Sequence, residues 1–188
     1  DKGEWFQLFQ IGFGGVPGRP IGDGPDGHSL WPSFTNVPNE FVEAYFPLRV
    51  EQYEFIVDSG GAGLHRGGNG LSVAYRFLVD GHIGIHDDRW LTYPWGVNGG
   101  KPGMRSTKLL VRTDGSEEYI PAKCEDVKVQ KGDLLYFNTW GGGGWGDPLK
   151  RDPLIVTADV SKKLVSVEGA RRYGCLLYTS PSPRDRVQ

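Results

Sequence analysis

Residues 82–90 of this 188-residue chain, HIGIHDDRW, combine the histidines and carboxylates that metal and acid–base sites use. The glycines disfavour a helix, and along an extended strand His82 and His86 lie about 13 Å apart, too far to share an ion. His86 and Asp88 fall on one strand face, where both can reach a single cation. Two ligands are few for a metal site, so a structural network of these residues with Arg89 is the favoured interpretation.

Residues 23–36, DGPDGHSLWPSFTN, form a second polar stretch. They bring Asp26, His28 and Asn36 into one loop, with Asp23 beside them. Polar groups in such a loop can line a cleft, or they can form Asx turns that hold only the loop itself. A lone histidine is more often a hydrogen-bonding residue than a catalytic base. The sequence leaves both interpretations open.

Residues 58–70, DSGGAGLHRGGNG, contain six glycines in thirteen positions and carry Asp58 and Arg66. One interpretation is a hairpin loop with a bulge between two predicted strands. The other is a loop that presents Arg66 and backbone N–H groups to a carboxylate or phosphate, because a guanidinium binds such groups through two hydrogen bonds. The residues alone do not decide between them.

Residues 139–153, TWGGGGWGDPLKRDP, place four consecutive glycines between two tryptophans. The glycines formally satisfy G-x-G-x-x-G, but Asp147 and Pro148 follow where the helix of a dinucleotide fold must start, and no stretch meets the P-loop pattern. A flexible linker does not fit, because exposed Trp140 and Trp145 would be costly. The favoured interpretation is a structural bend with two indoles packed over it. The alternative is an anion-binding concavity of backbone N–H groups.

Hydrophobic periodicity predicts the elements that position these stretches. Residues 35–47, TNVPNEFVEAYFP, indicate a short helix with Asn36 as its N-cap and Pro38 in its first turn. Strict alternation then predicts strands at residues 49–57 and 71–79.

Turn residues predict two hairpins farther along the chain. An Asp-Gly pair at residues 114–115 and a Lys-Gly-Asp triplet at residues 131–133 each separate two strand-like runs. Helical spacing returns only in residues 153–174. We therefore predict a mainly β chain with short helices (α+β), with antiparallel sheets in a sandwich or barrel-like arrangement and two short C-terminal helices.

Composition excludes several classes of function. The formal net charge of −2 provides no basic field for a nucleic acid, and no apolar run approaches the length of a membrane span. The first residues, DKGEWFQLFQ, do not resemble a signal peptide, so we expect a cytoplasmic protein. Glycine, at 29 of 188 residues, is about twice as frequent as usual, while 12% aromatic residues argue for a packed structure.

Both ends of the chain show signs of truncation. Residues 175–188, CLLYTSPSPRDRVQ, resemble the in-frame translation of a sequencing adapter, and we expect them to be disordered. The alternative is a genuine proline-rich tail. Because the sequence also lacks an initial methionine, residues 1–174 are interpreted as a fragment. Cys124 and Cys175 do not form a disulfide framework.

Four stretches together resemble one family. They are residues 38–71 (PNEFVEAYFPLRVEQYEFIVDSGGAGLHRGGNGL), 87–90 (DDRW), 94–103 (PWGVNGGKPG) and 139–153. In order and spacing they are similar to the C-terminal portion of the hydantoinase B/oxoprolinase family. That family includes N-methylhydantoinase B subunits, subunits of acetone and acetophenone carboxylases, and the second half of 5-oxoprolinase. The resemblance covers residues 10–174.

The resemblance implies an ATP-dependent enzyme of two subunit types, with a small cyclic amide or a ketone as substrate. An A-type partner subunit would bind ATP and phosphorylate the substrate, and the B-type subunit would hydrolyse or carboxylate it at a divalent metal. The family's metal ligands lie upstream, so no metal ligand and no cofactor-binding residue is assigned to this chain, which we expect to be inactive alone. The 5-oxoprolinase branch carries His-x-His where this chain has Trp31 and Ser33, which favours the hydantoinase or carboxylase-like branches.

The catalytic residues cannot be identified from the resemblance, and seven polar residues remain as weak candidates: Asp26, His28, Asn36, Asp58, Arg66, His86 and Asp88. A competing hypothesis is a non-catalytic, tryptophan- and glycine-rich β-sandwich that binds a sugar or peptide on exposed aromatic rings, or serves as an interaction module. The six tryptophans would suit that function.

Overall fold

The structure is a computed structural model that describes residues 6–28 and 35–174. The predictions made for Trp31, Ser33 and residues 175–188 lie outside the described residues. No helix in the described ranges is long and apolar enough to cross a membrane.

The first helix, α1, spans Asn39–Tyr45, as the sequence predicts, with Glu40 in its first turn. Its N-cap is Pro38, which precedes the first turn, and no side chain caps the helix. The predicted cap by Asn36 is therefore wrong. The Asn36 side-chain amide instead contacts the hydroxyl of Tyr53, which lies on the strand that follows the helix.

Five strands form one antiparallel sheet in the order β1-β2-β7-β4-β5. Their bounds are β1 Leu48–Phe55, β2 Leu71–Phe77, β4 Thr107–Val111, β5 Glu117–Tyr119 and β7 Leu134–Asn138. The Asp-Gly turn joins β4 to β5, which confirms the first predicted hairpin. Gly115 has φ of 84°, the left-handed conformation for which such turns use glycine.

The other two strands, β3 (Gly81–His86) and β6 (Lys123–Val129), pair with each other in a separate two-stranded ribbon. The second predicted hairpin, between β6 and β7, is therefore wrong. The turn itself exists, because the Asp133 amide donates to the Gln130 carbonyl at 3.0 Å. β7 cannot pair with β6 because β2 and β4 already occupy both of its edges.

The main core lies between the five-stranded sheet and the ribbon. Six buried residues from both layers form it: Phe77, Ile85, Leu110, Ile120, Val129 and Leu135. The two layers do not close into a barrel. The predicted α+β fold of antiparallel sheets is confirmed. Of the two predicted arrangements, the sheets adopt the layered one and not a closed barrel.

Two short helices follow the last strand, as predicted. Helix α2 spans Pro153–Ser161, and the Asp152 carboxylate caps it by accepting from the Leu154 amide at 2.8 Å. The second is a 3₁₀ helix over Gly169–Tyr173, preceded by Ser166, whose hydroxyl accepts from the Gly169 amide at 2.8 Å. A further 3₁₀ turn spans Pro148–Lys150.

Candidate functional site

Five glycine-rich segments without helix or strand pack together beside the sheet, and we call them the glycine bundle. They are residues 12–18, 24–27, 58–70, 94–104 and 139–146. Backbone hydrogen bonds join them laterally at 2.7–3.2 Å.

The four-glycine run lies inside this bundle. The Gly142 amide donates to the Gly68 carbonyl at 2.8 Å, and the Gly144 amide donates to the Lys101 carbonyl at 2.9 Å. The Gly142 carbonyl accepts from the Gly61 amide at 2.8 Å. These amides are satisfied within the protein, so the alternative of an anion-binding concavity does not hold for them.

Only glycine permits this packing. A Cβ on Gly141 would overlap the Ser59 carbonyl, and a Cβ on Gly143 would overlap the Trp95 carbonyl. The flanking indole of Trp140 covers Gly14, where a Cβ would strike the ring. The run therefore has a structural role, but as a buried packing element rather than as a bend.

The first charged pair of the bundle joins two predicted site residues. Arg66 Nη1 and Nη2 donate to the two oxygens of Asp26 at 2.7 and 3.1 Å, and the Asn69 amide donates to Asp26 Oδ1 at 2.7 Å. Arg66 is 3% exposed. The loop presents Arg66 and backbone amides to a carboxylate, as one interpretation held, but the carboxylate belongs to the protein itself.

A second pair continues the first. Arg151 donates from Nη1 and Nη2 to both oxygens of Asp23 at 2.7 Å each, and from Nη2 to Asp159 at 2.7 Å. Arg66 Nε lies 4.0 Å from Asp159, which links the two pairs. We call these residues, Asp23, Asp26, Arg66, Arg151 and Asp159, the ionic lattice.

The electrostatics of the ionic lattice keep its groups charged. Burial alone would raise the pKa of Asp23, but the hydrogen bonds and positive charge of Arg151, with Arg66, hold it below its ordinary value. Burial acts against the charged form of Arg66 as well, yet Asp26 and Asp159 raise the pKa of that guanidinium. Groups held permanently ionised do not exchange protons near neutral pH, so the lattice fits a structural role.

Three further predicted residues lie apart from one another. Asp58, at φ of 66°, accepts from the Ser166 amide at 3.1 Å and from Arg172 Nη2 at 2.9 Å, so it anchors the C-terminal segment. The His28 side chain is exposed, and its backbone amide donates to the Gly14 carbonyl at 3.0 Å. Asn36 is exposed too.

His86 and Asp88 share the exposed face at the end of β3, as the two-residue spacing predicts. His86 Nε2 lies 3.4 Å from Glu125, and Asp88 lies 3.5 Å from Lys123. The predicted network with Arg89 is wrong, because the Arg89 guanidinium stacks on Trp95 at 4.6 Å. Within residues 6–28 and 35–174, no three His, Cys, Asp or Glu side chains are grouped to hold a metal.

The sequence interpretation missed a buried ion pair between Asp87 and Lys108. Asp87 is 7% exposed and Lys108 is 2% exposed, and the ammonium also lies 4.5 Å from the Phe137 ring centroid. Burial lowers the pKa of Lys108 to about 7. The alternation of inward and outward residues along this strand indicates the buried position of Asp87, because Ile83, Ile85 and Asp87 lie on the same inward face.

Asp87 lines a cleft of about 510 Å³ that lies between residues 8–12, the sheet and the ribbon. We call it the aromatic cleft because Phe9, Tyr75, Phe77, Phe137 and Trp140 contribute to its walls. The exposed pair of His86 and Asp88 also lines it. A larger cavity of about 770 Å³ adjoins it and shares part of its wall.

Tyr75 is the polar aromatic residue of that wall. Its hydroxyl donates to Gln10 Oε1 at 2.7 Å. Burial, with a smaller contribution from Tyr53, raises the pKa of Tyr75 to about 12, so the phenol stays protonated. The cleft therefore combines apolar walls with a few polar groups, which is the usual composition of a small-molecule site.

The sequence of the bundle and sheet matches a known family. The family model for hydantoinase B/oxoprolinase matches residues 1–148, which contain all seven described strands and all five bundle segments. The chain belongs to the hydantoinase B/oxoprolinase family.

Members of this family with known names include a caprolactamase. The caprolactamase subunit beta of Pseudomonas jessenii is 34% identical over 145 residues, which cover 73% of this chain and 25% of that subunit. The crystal structure of the ATP-dependent caprolactamase from Pseudomonas jessenii matches with a TM-score of 0.77 and 27% identity, over 93% of this chain and 31% of that one. The chain thus spans about a quarter of the length of three curated relatives, this subunit among them, and a smaller share of others.

A second solved structure shows the same fold. Acetone carboxylase in its nucleotide-free form matches with a TM-score of 0.68 and 20% identity, over 85% of this chain and 26% of that one. The competing hypothesis of an aromatic binding platform needs exposed tryptophan rings, and the described tryptophans divide on this point. Trp140 packs on Gly14, and the ring centroid of Trp145 lies 5.7 Å from that of His65. Trp90 is 37% exposed, and Trp95 is 64% exposed with the Arg89 guanidinium over its ring.

Proposed function

We propose that residues 1–174 form the C-terminal part of a B-type subunit in an ATP-dependent enzyme that acts on a small cyclic amide, or in a related ketone carboxylase. The observation that carries this proposal is family membership together with the likeness to ATP-dependent caprolactamase over 93% of the chain. Residues 175–188 are proposed to be adapter-derived, and the cytoplasm is the proposed compartment.

The chain's own part in such an enzyme is proposed to be structural support together with one wall of a binding cleft. The ionic lattice commits both oxygens of Asp23 and Asp26 to arginine side chains, so neither carboxylate is available as an acid or base. Of the seven candidate residues, His86 and Asp88 line the aromatic cleft, and Asp58 lines a separate, more open depression of about 500 Å³ beside the C-terminal segment, where its carboxylate is already bonded to Arg172. Catalytic groups are therefore expected elsewhere in the longer subunit or on its partner.

Neither of the two cofactors implied by the family fits the described residues. The glycine run lacks the P-loop pattern, and its Gly142 and Gly144 amides are already bonded to carbonyls. The described residues also lack a group of three metal ligands. We therefore place ATP on an A-type partner subunit and the divalent-metal ligands outside this chain, and we derive no reaction step through either.

The test is reconstitution of the complete enzyme. The full reading frame around this chain would be expressed together with the adjacent ATP-binding subunit. ADP release would then be measured with hydantoin, ε-caprolactam or 5-oxoproline, and with acetone plus bicarbonate. We expect release that depends on one substrate and needs both subunits, and none from residues 1–174 alone. Substrate-independent release, or activity of residues 1–174 alone, would overturn the proposal.

The boundaries need a separate test at the DNA level. Sequencing reads that span codons 170–188 should change into adapter sequence after Gly174, and reads upstream of Asp1 should continue the frame. Independent reads that confirm the tail would contradict the adapter interpretation without affecting family membership.

A further inference from the structure

We propose that Asn98 is a site of spontaneous deamidation, and that its isoaspartate product loosens the glycine bundle. The sequence contains two Asn-Gly pairs, at residues 69–70 and 98–99. Asn-Gly pairs are prone to this reaction, because glycine places no side chain in the path of the attacking backbone nitrogen. One pair lies at an exposed turn and the other is buried inside the bundle. The chemistry needs no substrate or partner, so it does not depend on the proposed function.

The reaction requires only the peptide and water. The Gly99 nitrogen loses its proton and attacks Cγ of Asn98, so that a new C–N bond closes a succinimide ring. The Cγ–Nδ2 bond breaks, and the side-chain nitrogen leaves as ammonia, which takes up the proton. Water then opens the ring at one of its carbonyls and yields either aspartate or isoaspartate. No electrons are gained or lost, and each product carries one new carboxylate.

Asn98 and Gly99 form the tip of an exposed turn. The Gly100 amide closes this turn on the Val97 carbonyl at 3.0 Å. The φ angles of 52° at Asn98 and 95° at Gly99 place both central residues in the left-handed region, which is typical of a type I′ turn. Within residues 6–28 and 35–174, no backbone hydrogen bond engages the Gly99 amide. Both reacting groups are therefore accessible to solvent and free to approach each other.

The other pair has the same sequence but the opposite surroundings. Asn69 is 0% exposed, its Nδ2 donates to the Leu164 carbonyl at 2.8 Å, and its Oδ1 accepts from the Gly60 amide at 2.8 Å. The Gly70 amide, which would be the attacking nitrogen, donates to the Ser59 hydroxyl at 2.9 Å. Attack at Asn69 would break all three bonds inside the bundle, so the folded chain protects this pair.

The turn at Asn98 can open without disturbing the bundle. The attack requires rotation about the Cα–C bond of Asn98, which breaks the bond between Gly100 and Val97. Val97 keeps its place during this rotation, because its amide donates to the Gly144 carbonyl and its carbonyl accepts from the Gly146 amide, both at 2.9 Å. Local opening of an exposed turn costs much less free energy than unfolding of a buried segment.

The isoaspartate product does not fit this turn. Isoaspartate adds a methylene group to the main chain between Val97 and Gly100, and both of these residues are packed against the bundle. A Cβ on Gly100 would already overlap the Gly144 carbonyl, so the lengthened backbone finds no room there. We expect the isoaspartate form to melt about 2–4 °C below the fresh protein, the shift that a single local defect produces in a chain of this length.

Peptide mass spectrometry of the full 188-residue chain, incubated at mildly alkaline pH, compares the two pairs within one sample. We expect the peptide with Asn98 to deamidate at least about tenfold faster than the peptide with Asn69, a ratio that corresponds to about 1.4 kcal/mol. The matched control is the same chain unfolded in urea, where both pairs should react at similar rates. Equal rates in the folded chain, faster reaction at Asn69, or protection of both pairs would each overturn the assignment.

The effect on the bundle is measured separately. The isoaspartate form is isolated by ion-exchange chromatography and compared with Asn98→Asp, which carries the new charge without the extra methylene. We expect the lower melting temperature in the isoaspartate form and a value close to that of fresh protein in the variant. Equal melting temperatures of fresh and isoaspartate protein would overturn the loosening of the bundle. Each of these outcomes leaves the proposed function as it stands, because none of them measures turnover.

Discussion

The glycine bundle with its ionic lattice and the aromatic cleft both contain aspartates paired with buried cations, yet the two regions use them differently. In the ionic lattice, Asp23 and Asp26 each face an arginine fork that engages both carboxylate oxygens. At the cleft, Asp87 meets Lys108, a point charge that contacts one oxygen. An arginine fork uses both oxygens of a carboxylate, whereas a lysine ammonium can contact a single one. The choice of cation thus separates pairs that engage both carboxylate oxygens from a pair in which the cation contacts one oxygen.

The two regions also differ in which atoms pack together. The bundle packs main chain against main chain, so its segments are fixed by hydrogen bonds and by the absence of Cβ atoms. The cleft is walled by side chains from separate layers, which leaves a cavity between them. We therefore expect substitutions in the bundle to affect stability and substitutions around the cleft to affect binding.

The largest effect is expected from Gly142→Ala. The added Cβ would overlap the Val16 carbonyl in the interior, and backbone cannot move aside as a side chain can. We expect a loss of at least about 3 kcal/mol, or about 6–12 °C in melting temperature, measured by thermal unfolding. Gly22→Ala is the matched control, since nothing lies within 4 Å of its Cβ position, and it should change stability by less than about 0.5 kcal/mol. Equal effects of both substitutions would contradict the packing role.

The second-largest loss of stability is expected from Arg151→Met. This change keeps the apolar stem but leaves Asp159, which is 6% exposed, and Asp23 without their partner. Breaking one side of a buried pair costs about 3–5 kcal/mol, which urea unfolding would measure; because Asp23 is partly exposed, we expect the lower end of that range.

The control for that change is Arg171→Met. Arg171 and Glu168 are paired at 3.0 Å, but both side chains are about 70% exposed. Such surface pairs contribute about 0–1 kcal/mol. If the two methionine variants unfolded at the same urea concentration, the ionic lattice would have no special structural role.

The pH dependence of stability offers a smaller and more specific test. Because the folded-state pKa of Asp23 lies below its ordinary value of 3.8, the unfolded chain takes up this proton first as the pH falls. The stability from this group is present above about pH 3.8 and is lost on acidification below it. Urea unfolding between pH 6 and pH 3 should show a shallower acid loss in Asp23→Asn than in the original protein. Identical slopes in the two proteins would refute the assignment.

The smallest effect is expected at the rim of the cleft. His86→Ala and Asp88→Asn remove exposed, solvent-screened pairs, so each should alter the free energy of unfolding by less than about 0.5 kcal/mol. Thermal unfolding of both variants would check this. A loss above 1 kcal/mol in either would show that the ribbon depends on these contacts and would weaken the contrast between bundle and cleft.

Local sequence signals predicted most of the elements correctly. Alternation found β1 and β2, the Asp-Gly pair found the β4–β5 hairpin, and the proline-flanked segment found α1. The partner of β6 could not be found in this way, because strand pairing depends on which edges remain free in the assembled sheet.

The candidate site was predicted less well, for a related reason. Residue type marked Asp26 and Arg66 as separate site candidates, and their separation of 40 residues gave no sign that they would pair with each other. The two residues that the sequence singled out, His86 and Asp88, lie on the exposed face at the end of β3, whereas Asp87 between them faces the interior. Alternation with Ile83 and Ile85 would have indicated that inward position.

The sequence by itself determined the family and the antiparallel β character, because motifs and periodicity are local properties. Tertiary structure alone decided which carboxylates have both oxygens bonded to an arginine and which one lines the aromatic cleft. Ion pairing and burial depend on segments far apart in the chain, such as Asp23 and Arg151, meeting in a medium that screens charge weakly. The same residue type therefore forms a structural ion pair with arginine in the ionic lattice and a lysine pair that lines the cleft.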